Sequence, residues 1–486
     1  MINLIGNELT KVFKKKTIYI LIFITIGYII LSNFMMKITN DSNYNYYFYS
    51  EGDLEYYEER LSTLDPNNIS ESSDYFEYKK DIELINLAKP YGNNSWQTYV
   101  IYTKLTGYID TMIEYEYSDE ITEEAYNEAK AEYDEAVKRL EENDWKYFVN
   151  QDLEYINSSL ETQYKLRDMA DNQTIKNSIN ETIKGLELEK QINDWRLEKN
   201  IDYGPTFLNS AIENYYMSKQ SLLNYDNTNI EELDYEELQA YRDMLQTANL
   251  NQYYIENSIT LDSLSRSIFI NLFGNYELFI LIIAIVIAGS IVSEEFNRGT
   301  IKLLLVKPYK RVKILLAKFI VCMIILLLAI GIVYFSQLLF GGIINGFDGL
   351  TTPAIVYNFD TNQVQTINIF AYVLLTGFCK LPMYILLTTL AFACSTIFNS
   401  TALAVAVPFL GYIGSTLINQ FAIIYNFNPI IYFVTPNWDL SYYLYGGLPL
   451  FEGLTAPFSI IICVIYLVIM LVLSSIVFKN RDIKNI

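Results

Sequence analysis

Long apolar runs and one long polar stretch divide this chain of 486 residues. The first run, residues 18–36, has no charge, and as a helix it would measure about 28 Å, close to the ~30 Å hydrocarbon core of a bilayer. Three lysines precede it, as in a signal peptide, but the run is too long and no small-residue cleavage site follows, so we interpret it as a membrane anchor. Five further runs predict spans at about residues 273–292, 314–340, 369–394, 401–419 and 457–478.

The polar stretch, residues 38–266, repeats apolar residues at helical spacing and predicts a mainly α-helical domain. Helix breaks are expected at Asn143-Asp144, Asp171-Asn172 and Gly204-Pro205. The segment 98–109 is rich in β-branched and aromatic residues, which leaves open a short strand pair. The predicted fold class is therefore an α-helical polytopic membrane protein, with six transmembrane helices and a mostly helical domain between the first two.

Residues 1–16 precede the first span, which we place at 17–37, and they predict an amphipathic helix. An apolar stripe with lysines on the opposite side is typical of a helix lying in the plane of the membrane interface. A frayed tail whose lysines only set the topology is the alternative. The predicted stripe consists of Ile2, Ile5, Leu9, Val12 and Phe13.

Charge separates the same two parts of the chain. Residues 38–266 carry 47 acidic and 19 basic side chains, a net charge of −28, whereas the other residues carry 9 acidic and 16 basic side chains, a net charge of +7. This balance excludes a nucleic-acid-binding surface as the main function. The chain has no histidine, which excludes imidazole zinc sites and Ser-His-Asp triads. Its four cysteines all lie in apolar runs and predict buried free thiols.

The basic residues outside the polar stretch predict the orientation. They precede the first span, separate the second from the third, and follow the sixth, whereas the loops 341–367 and 420–455 have none. Since basic loops stay in the cytoplasm, both termini are expected inside a bacterial cell, and residues 38–266 outside it.

The loop between the second and third spans, residues 293–308, carries the most informative pattern. Ser293 is a candidate cap for a helix with Glu294 and Glu295 in its first turn, and Pro308 disfavours continuation. The apolar residues that follow, among them Leu303 and Leu304, would be exposed to the cytosol unless they bound a groove of a partner protein or the bilayer surface. The residues themselves leave these two interpretations open.

The acidic pair leading into GTIKLLLVKP, followed by YKRVKILLAKF, resembles the cytoplasmic loop of type-two ABC transporter permeases. The opening NELTKVFKKKTIYI and the run LAFACSTIFNSTALAVAVP are also similar to that family. The resemblance covers both ends and all six spans, in residues 1–37 and 267–486. It leaves out the long insert, which departs from the short loop usual in the family.

The resemblance implies the membrane subunit of an exporter with a substrate such as a peptide antibiotic, a lipid or a drug. It implies that 293–308 is a coupling helix that docks on a cytoplasmic ABC ATPase subunit, and that 420–455 forms re-entrant helices on the outer side. It also implies a second permease copy or paralogue and contact with membrane lipids. The residues assigned to the ATPase contact are Glu294, Glu295, Arg298, Gly299, Thr300, Leu303 and Leu304.

This chain has no G-x-x-x-x-G-K-[ST] phosphate cradle, so ATP and magnesium would bind in the partner subunit, and we expect no enzyme activity and no cofactor here. Lys380 is a candidate functional charge inside a span. Its expected position near the outer interface favours snorkelling instead. The alternative function is a membrane-anchored receptor or secretion accessory resembling the phage infection protein group. A secondary transporter is disfavoured because no proton relay is evident in the spans.

Overall fold

The structure is a computed structural model. It describes residues 1–39, 48–50, 52–65, 72–117, 121–226, 228–261, 263–300, 310–398 and 400–481. The chain divides into two compact units, one formed by Met1–Asn40 with Leu261–Ile486 and the other by Asp41–Thr260. We call the first the membrane unit and the second the insert.

Six helices in the described part of the membrane unit are long and apolar enough to cross a membrane, as predicted. We number them as spans one to six in chain order: Lys16–Thr39, Glu277–Asn297, Arg311–Asn345, Leu381–Phe398, Thr401–Ile424 and Ala456–Asn480. Spans two and four are the most buried of the six. The core that they share contains Ile280, Tyr384 and Phe392. The protein is therefore an α-helical, multi-pass membrane protein.

Two spans are interrupted. Span two consists of Glu277–Ser290 and the short helix Ser293–Asn297. Span three consists of Arg311–Ser336, a π-helical turn at Gln337–Gly341 and Gly342–Asn345.

The run predicted as one span at 369–394 is divided into the helices Ile369–Cys379 and Leu381–Phe398. Lys380 lies at the break, directly before a helix whose second residue is Pro382. Proline has no N–H to donate to the preceding turn, which explains why the helix is not continuous here.

The remaining elements of the membrane unit are short. The helix Ile2–Phe13 precedes span one, and Leu264–Ile270 and Leu272–Asn275 precede span two. Strands Ala354–Asn358 and Gln363–Ile367 form an antiparallel hairpin in which Ala354 is opposite Ile367. This hairpin lies in a segment predicted only as a loop. The 3₁₀ helices are Asp348–Leu350, Asn428–Tyr432 and Leu440–Gly446. The last two occupy the segment 420–455, for which short re-entrant helices were expected.

The N-terminal helix packs part of the predicted stripe against the core of the membrane unit, with Val12 buried and Ile5 and Leu9 partly buried. Its buried side chains are Leu4, Glu8 and Val12, whereas Ile2 and Phe13 are exposed. Positions four residues apart share one face of a helix, so the carboxylate of Glu8 lies on the packed face. The sequence analysis placed no charged residue on this face, and the burial of Glu8 is the difference that the structure shows.

The described part of the insert is mainly helical, as predicted, and its helices break at the three predicted positions. Its α-helices are Asp53–Leu61, Ser72–Ala88, Trp96–Val100, Thr106–Tyr117, Glu123–Glu141, Trp145–Met169, Gln173–Lys199, Phe207–Leu223 and Tyr235–Glu256. A π-helix spans Ile101–Leu105, and a 3₁₀ helix spans Ile230–Glu232.

The strand pair considered at 98–109 is wrong. Ile101, Leu105 and Ile109 are all fully buried, and their spacing of four residues places them on one face of a helix. The helical period of these residues outweighs the β-propensity of their side chains. The four cysteines of the membrane unit are free and buried, as predicted.

Candidate coupling site

A lysine is completely buried where the N-terminal helix meets spans two and three. Lys318, in span three, is 0% exposed. Its Nζ lies 2.6 Å from Glu8 Oε2 and 2.9 Å from Glu295 Oε1, and it also donates to the carbonyl of Ile291 at 3.2 Å. A buried ammonium is stable only when anions and hydrogen-bond acceptors surround it, which this pocket provides.

Lys11 closes the network. Its Nζ lies 2.6 Å from Glu8 Oε1 and 2.8 Å from Glu295 Oε1, so two lysines and two glutamates alternate. Burial alone would raise the pKa of Glu8, but Lys318 and Lys11 outweigh it and hold this pKa below its ordinary value. Burial would lower the pKa of Lys11, but hydrogen bonds to Glu295 and Glu8 raise it. The network therefore joins the N-terminal helix, span two and span three through ion pairs.

Glu294 makes a second connection beside this network. Its Oε2 lies 3.0 Å from the Nζ of Lys15, which sits between the N-terminal helix and span one, and 3.7 Å from the guanidinium of Arg298. Lys15 also donates to Ser290 Oγ at 3.3 Å. A cavity of about 620 Å³ adjoins these groups and is lined by Glu8, Lys11, Lys15, Glu294 and Arg298, among others.

Ser293 ties the same short helix to spans four and five. Its backbone N–H donates to Ser395 Oγ at 3.0 Å, and its hydroxyl contacts the Gly289 carbonyl at 2.7 Å and Thr401 Oγ1 at 2.8 Å. Ser293 is therefore the first buried residue of the helix and not its cap, which corrects the sequence prediction. At Gly289 an added Cβ would come within 3.0 Å of Val405 Cγ2, so spans two and five approach closely here.

Arg481, just after span six, completes the attachments. Its guanidinium donates to the carbonyls of Thr396 and Ile397 at 2.6 and 3.2 Å, at the end of span four. It also lies 4.8 Å from the ring centroid of Phe296. Burial lowers the pKa of Arg481, and the carbonyls satisfy its donors. The short helix at the end of span two thus contacts residues from most of the membrane unit.

The structure does not show 293–308 as one helix. The helix that begins at Ser293 ends at Asn297, and Gly299 has a φ of 67°, the left-handed conformation that ends helices. Of the residues predicted to contact an ATPase, Glu294 and Glu295 make ion pairs within the chain. Arg298 is 73% exposed at its side chain, and Thr300 is exposed. Leu303 and Leu304 lie outside the described residues.

Lys380 belongs to a separate ion-pair cluster. Its Nζ lies 2.7 Å from Glu277 Oε2 at the start of span two and 3.8 Å from Asp439 Oδ2, and it is 18% exposed. Tyr412 of span five donates to the other oxygen of Glu277. Lys380 is therefore paired within the chain, whereas the sequence analysis considered it only as a functional charge or a snorkelling lysine. An acidic residue at the edge of the apolar run, Glu277, was the signal that the sequence prediction overlooked.

Comparisons with known proteins match part of the chain. Residues 244–484 match the family model described as protein of unknown function (DUF2705). The chain is 32% identical over 241 residues to the uncharacterized protein YhcI of Bacillus subtilis (strain 168), covering 49% of this chain and 76% of that protein. It is 28% identical over 202 residues to the uncharacterized membrane protein YdbK of the same strain, covering 42% of this chain and 77% of that protein. No solved structure matches the chain significantly.

Proposed function

The chain belongs to the same family as YhcI of Bacillus subtilis, and we propose that it is the membrane-spanning permease subunit of an ATP-driven ABC exporter. A separate cytoplasmic ATPase subunit supplies the energy, and a second permease copy or paralogue completes the pathway. The substrate is amphipathic or hydrophobic, such as a peptide antibiotic, a lipid or a drug. The resemblance of both chain ends and all six spans to type-two permeases supports this proposal.

The observation that carries the proposal is the attachment of residues 293–298. A segment that passes on force must be fixed to the elements that it moves. Glu295 is bound to the N-terminal helix and to span three, and Ser293 is bound to spans four and five. A push on the exposed side chains of Arg298 and Thr300 would reach all of these elements through span two.

The proposed topology places both termini and residues 293–308 in the cytoplasm of a bacterial cell and residues 38–266 outside it. Single cysteines test this, since the four native cysteines are buried. In intact cells, an impermeant maleimide should label Glu128→Cys, at an exposed position in the insert, and should label Thr300→Cys only after lysis. Labelling of Thr300→Cys in intact cells would contradict the topology.

Purification from native membranes in mild detergent tests the function. A stoichiometric partner that carries a phosphate cradle and hydrolyses ATP is expected with the wild-type chain. Arg298→Glu and Leu304→Asp should release this partner while the permease still accumulates. Lys14→Glu reverses an exposed charge outside the segment and is the matched control that should retain it.

Absence of any such ATPase from the wild-type preparation would overturn the exporter proposal. That outcome would favour the alternative of a membrane-anchored receptor or secretion accessory, in which the insert acts without ATP. Equal retention of the partner by Arg298→Glu, Leu304→Asp and Lys14→Glu would leave an exporter but move the ATPase contact elsewhere.

A further inference from the structure

The insert contains a cavity of about 500 Å³, within the size range of small-molecule sites. Its walls come from the helices Trp145–Met169, Gln173–Lys199 and Phe207–Leu223 and from the π-helix Ile101–Leu105. Short π-helical turns occur frequently at functional sites. The predictions for the insert included no such cavity, because its walls come from segments far apart in the chain.

Arg196 is the unusual residue of this cavity. It is only 9% exposed, and its Nη1 donates to the carbonyl of Asp202 at 3.0 Å and to Asn209 Oδ1 at 2.6 Å. Both of these acceptors are neutral. Among the described residues, no carboxylate lies within salt-bridge distance of Arg196, although Asp152 and Asp202 are near enough to interact with it electrostatically and buried charges are normally paired directly. The guanidinium is thus in place for an anionic group that enters the cavity.

Aromatic rings and an internal ion pair fix the surroundings of Arg196. Its guanidinium lies 4.6 Å from the ring centroid of Tyr203, and the ring of Tyr99 stacks on Tyr203 at 5.6 Å. The other cation of this wall, Lys104, lies 2.6 Å from Asp152 Oδ1 and is neutralised by it. The wall near Arg196 is consequently partly apolar, and the hydrogen bonds of its guanidinium go to neutral acceptors.

The same helix also presents an acid to the cavity. Glu189, Asn193 and Arg196 all line it, at positions i, i+4 and i+7, which share one helix face. Seven residues correspond to about 10 Å along a helix. Glu189 Oε1 accepts a hydrogen bond from Tyr216 at 3.1 Å, and Glu213 lies on the facing helix. A ligand that meets both side chains therefore carries a negative group at one end and a positive group at the other.

We propose that this cavity binds a short peptide in extended form, with its terminal carboxylate on Arg196 and its terminal ammonium on Glu189. Three extended residues span about 10 Å, which matches the spacing of positions 189 and 196 along the helix. Asn193 lies between them, where its amide can meet the peptide backbone. The net charge of −28 on residues 38–266 opposes purely anionic ligands and favours a zwitterion or a cation.

This inference does not depend on the exporter proposal, since peptide binding to the insert requires no ATPase. The test uses the full chain in nanodiscs and isothermal titration with tri-alanine. Tri-alanine amide lacks the terminal carboxylate, and N-acetyl-tri-alanine lacks the ammonium. Each is expected to bind the wild-type protein about ten to a hundred times more weakly than tri-alanine, the loss typical of one charge-assisted hydrogen-bonded contact.

Two variants test which residue binds each end of the peptide. Arg196→Met should remove the preference for the free acid over the amide, and Glu189→Gln should remove the preference for the free amine over the acetylated peptide. Glu198→Gln neutralises an exposed acid of the same helix outside the cavity and should keep both preferences. Because Arg196 is buried, Glu189→Gln provides an independent test even when Arg196→Met fails to fold.

The proposal is overturned when tri-alanine does not bind the wild-type protein, or when the free acid and the amide bind it equally. It is also overturned when a folded Arg196→Met variant keeps the preference for the acid, or when Glu189→Gln keeps the preference for the amine. Loss of both preferences in Glu198→Gln would show that the general charge of the insert, and not this cavity, selects the ligand.

Discussion

Replacing Lys318 with methionine tests the buried network directly. Methionine fills much of the same volume with a flexible apolar side chain, so the main effect is electrostatic. The change leaves the buried Glu8 and the partly buried Glu295 with Lys11 as their shared cation, which is one negative charge in excess. Removing one partner of a buried ion pair typically costs about 3–5 kcal/mol of unfolding free energy. Because Lys11 remains 2.6 and 2.8 Å from the two carboxylates, we expect the lower end, about 3 kcal/mol.

A double-mutant cycle combines Lys318→Met with a second variant, Glu8→Gln, which by itself leaves one positive charge in excess. The double variant restores neutrality, since only Lys11 and Glu295 keep their charges. Its loss should therefore be smaller than the sum of the two single losses, by about 2–3 kcal/mol. Denaturation of the full chain in mixed micelles, followed by circular dichroism, measures the three unfolding free energies.

Lys14→Met is the control for removal of a cation, because Lys14 is exposed beside the same helix end. It should leave the unfolding free energy unchanged. The reasoning about the network is refuted if Lys318→Met is as stable as Lys14→Met. It is also refuted if the losses of Lys318→Met and Glu8→Gln simply add in the double variant.

Three further predictions concern other features. Since the pKa of Glu8 is lowered and that of Lys11 is raised, protection of the N-terminal helix from hydrogen exchange should stay constant between about pH 5 and 10. Protection should be lost as pH falls below the ordinary Glu pKa of 4.5 or rises above the ordinary Lys pKa of 10.5. Loss of protection near neutral pH would contradict this prediction. Gly289→Ala should destabilise the membrane unit by about 1–3 kcal/mol because the added Cβ meets Val405 and Ala404. Gly414→Ala is the control and should not destabilise it, because the space around Gly414 is open. Equal melting temperatures of the two variants would refute the close approach of spans two and five. Residues 38–266 expressed alone should give a strongly helical spectrum and one cooperative melt that reductant does not change; a random-coil spectrum would contradict an independently folded insert.

The apolar runs predicted the spans because a helix that crosses a bilayer must be apolar over about 20 consecutive residues, and this requirement is local in sequence. The helical period predicted the insert for a similar reason. The pairing of Lys318 with Glu8 is not local, since 310 residues separate them. Without knowledge of that partner, the sequence indicates only that Lys318 is a basic residue of a cytoplasmic loop and that Glu8 is a solvated acid. The β-hairpin in 341–367 was missed because its strands are only five residues each.

Span two is held by ion pairs at both of its ends. Glu277 and Glu295 are 18 residues apart, about 27 Å along a helix, close to the ~30 Å thickness of a hydrocarbon core. One end is bound to Lys380 and Tyr412, and the other to Lys318 and Lys11. The longer of the two helices of this span, Glu277–Ser290, is apolar and largely buried.

Apolar packing would serve stability as well as such pairs do, because desolvation offsets much of the attraction between buried charges. Ion pairs differ in being sensitive to direction and distance, so a small displacement can exchange one partner for another. Glu295 already shares one oxygen between two lysines, while its Oε2 is buried with no hydrogen-bond partner among the described residues. In the exporter that we propose, that free oxygen gives the inner end of span two a second acceptor for Lys11 or Lys318. A push on Arg298 could then tilt the span while its charges remain paired.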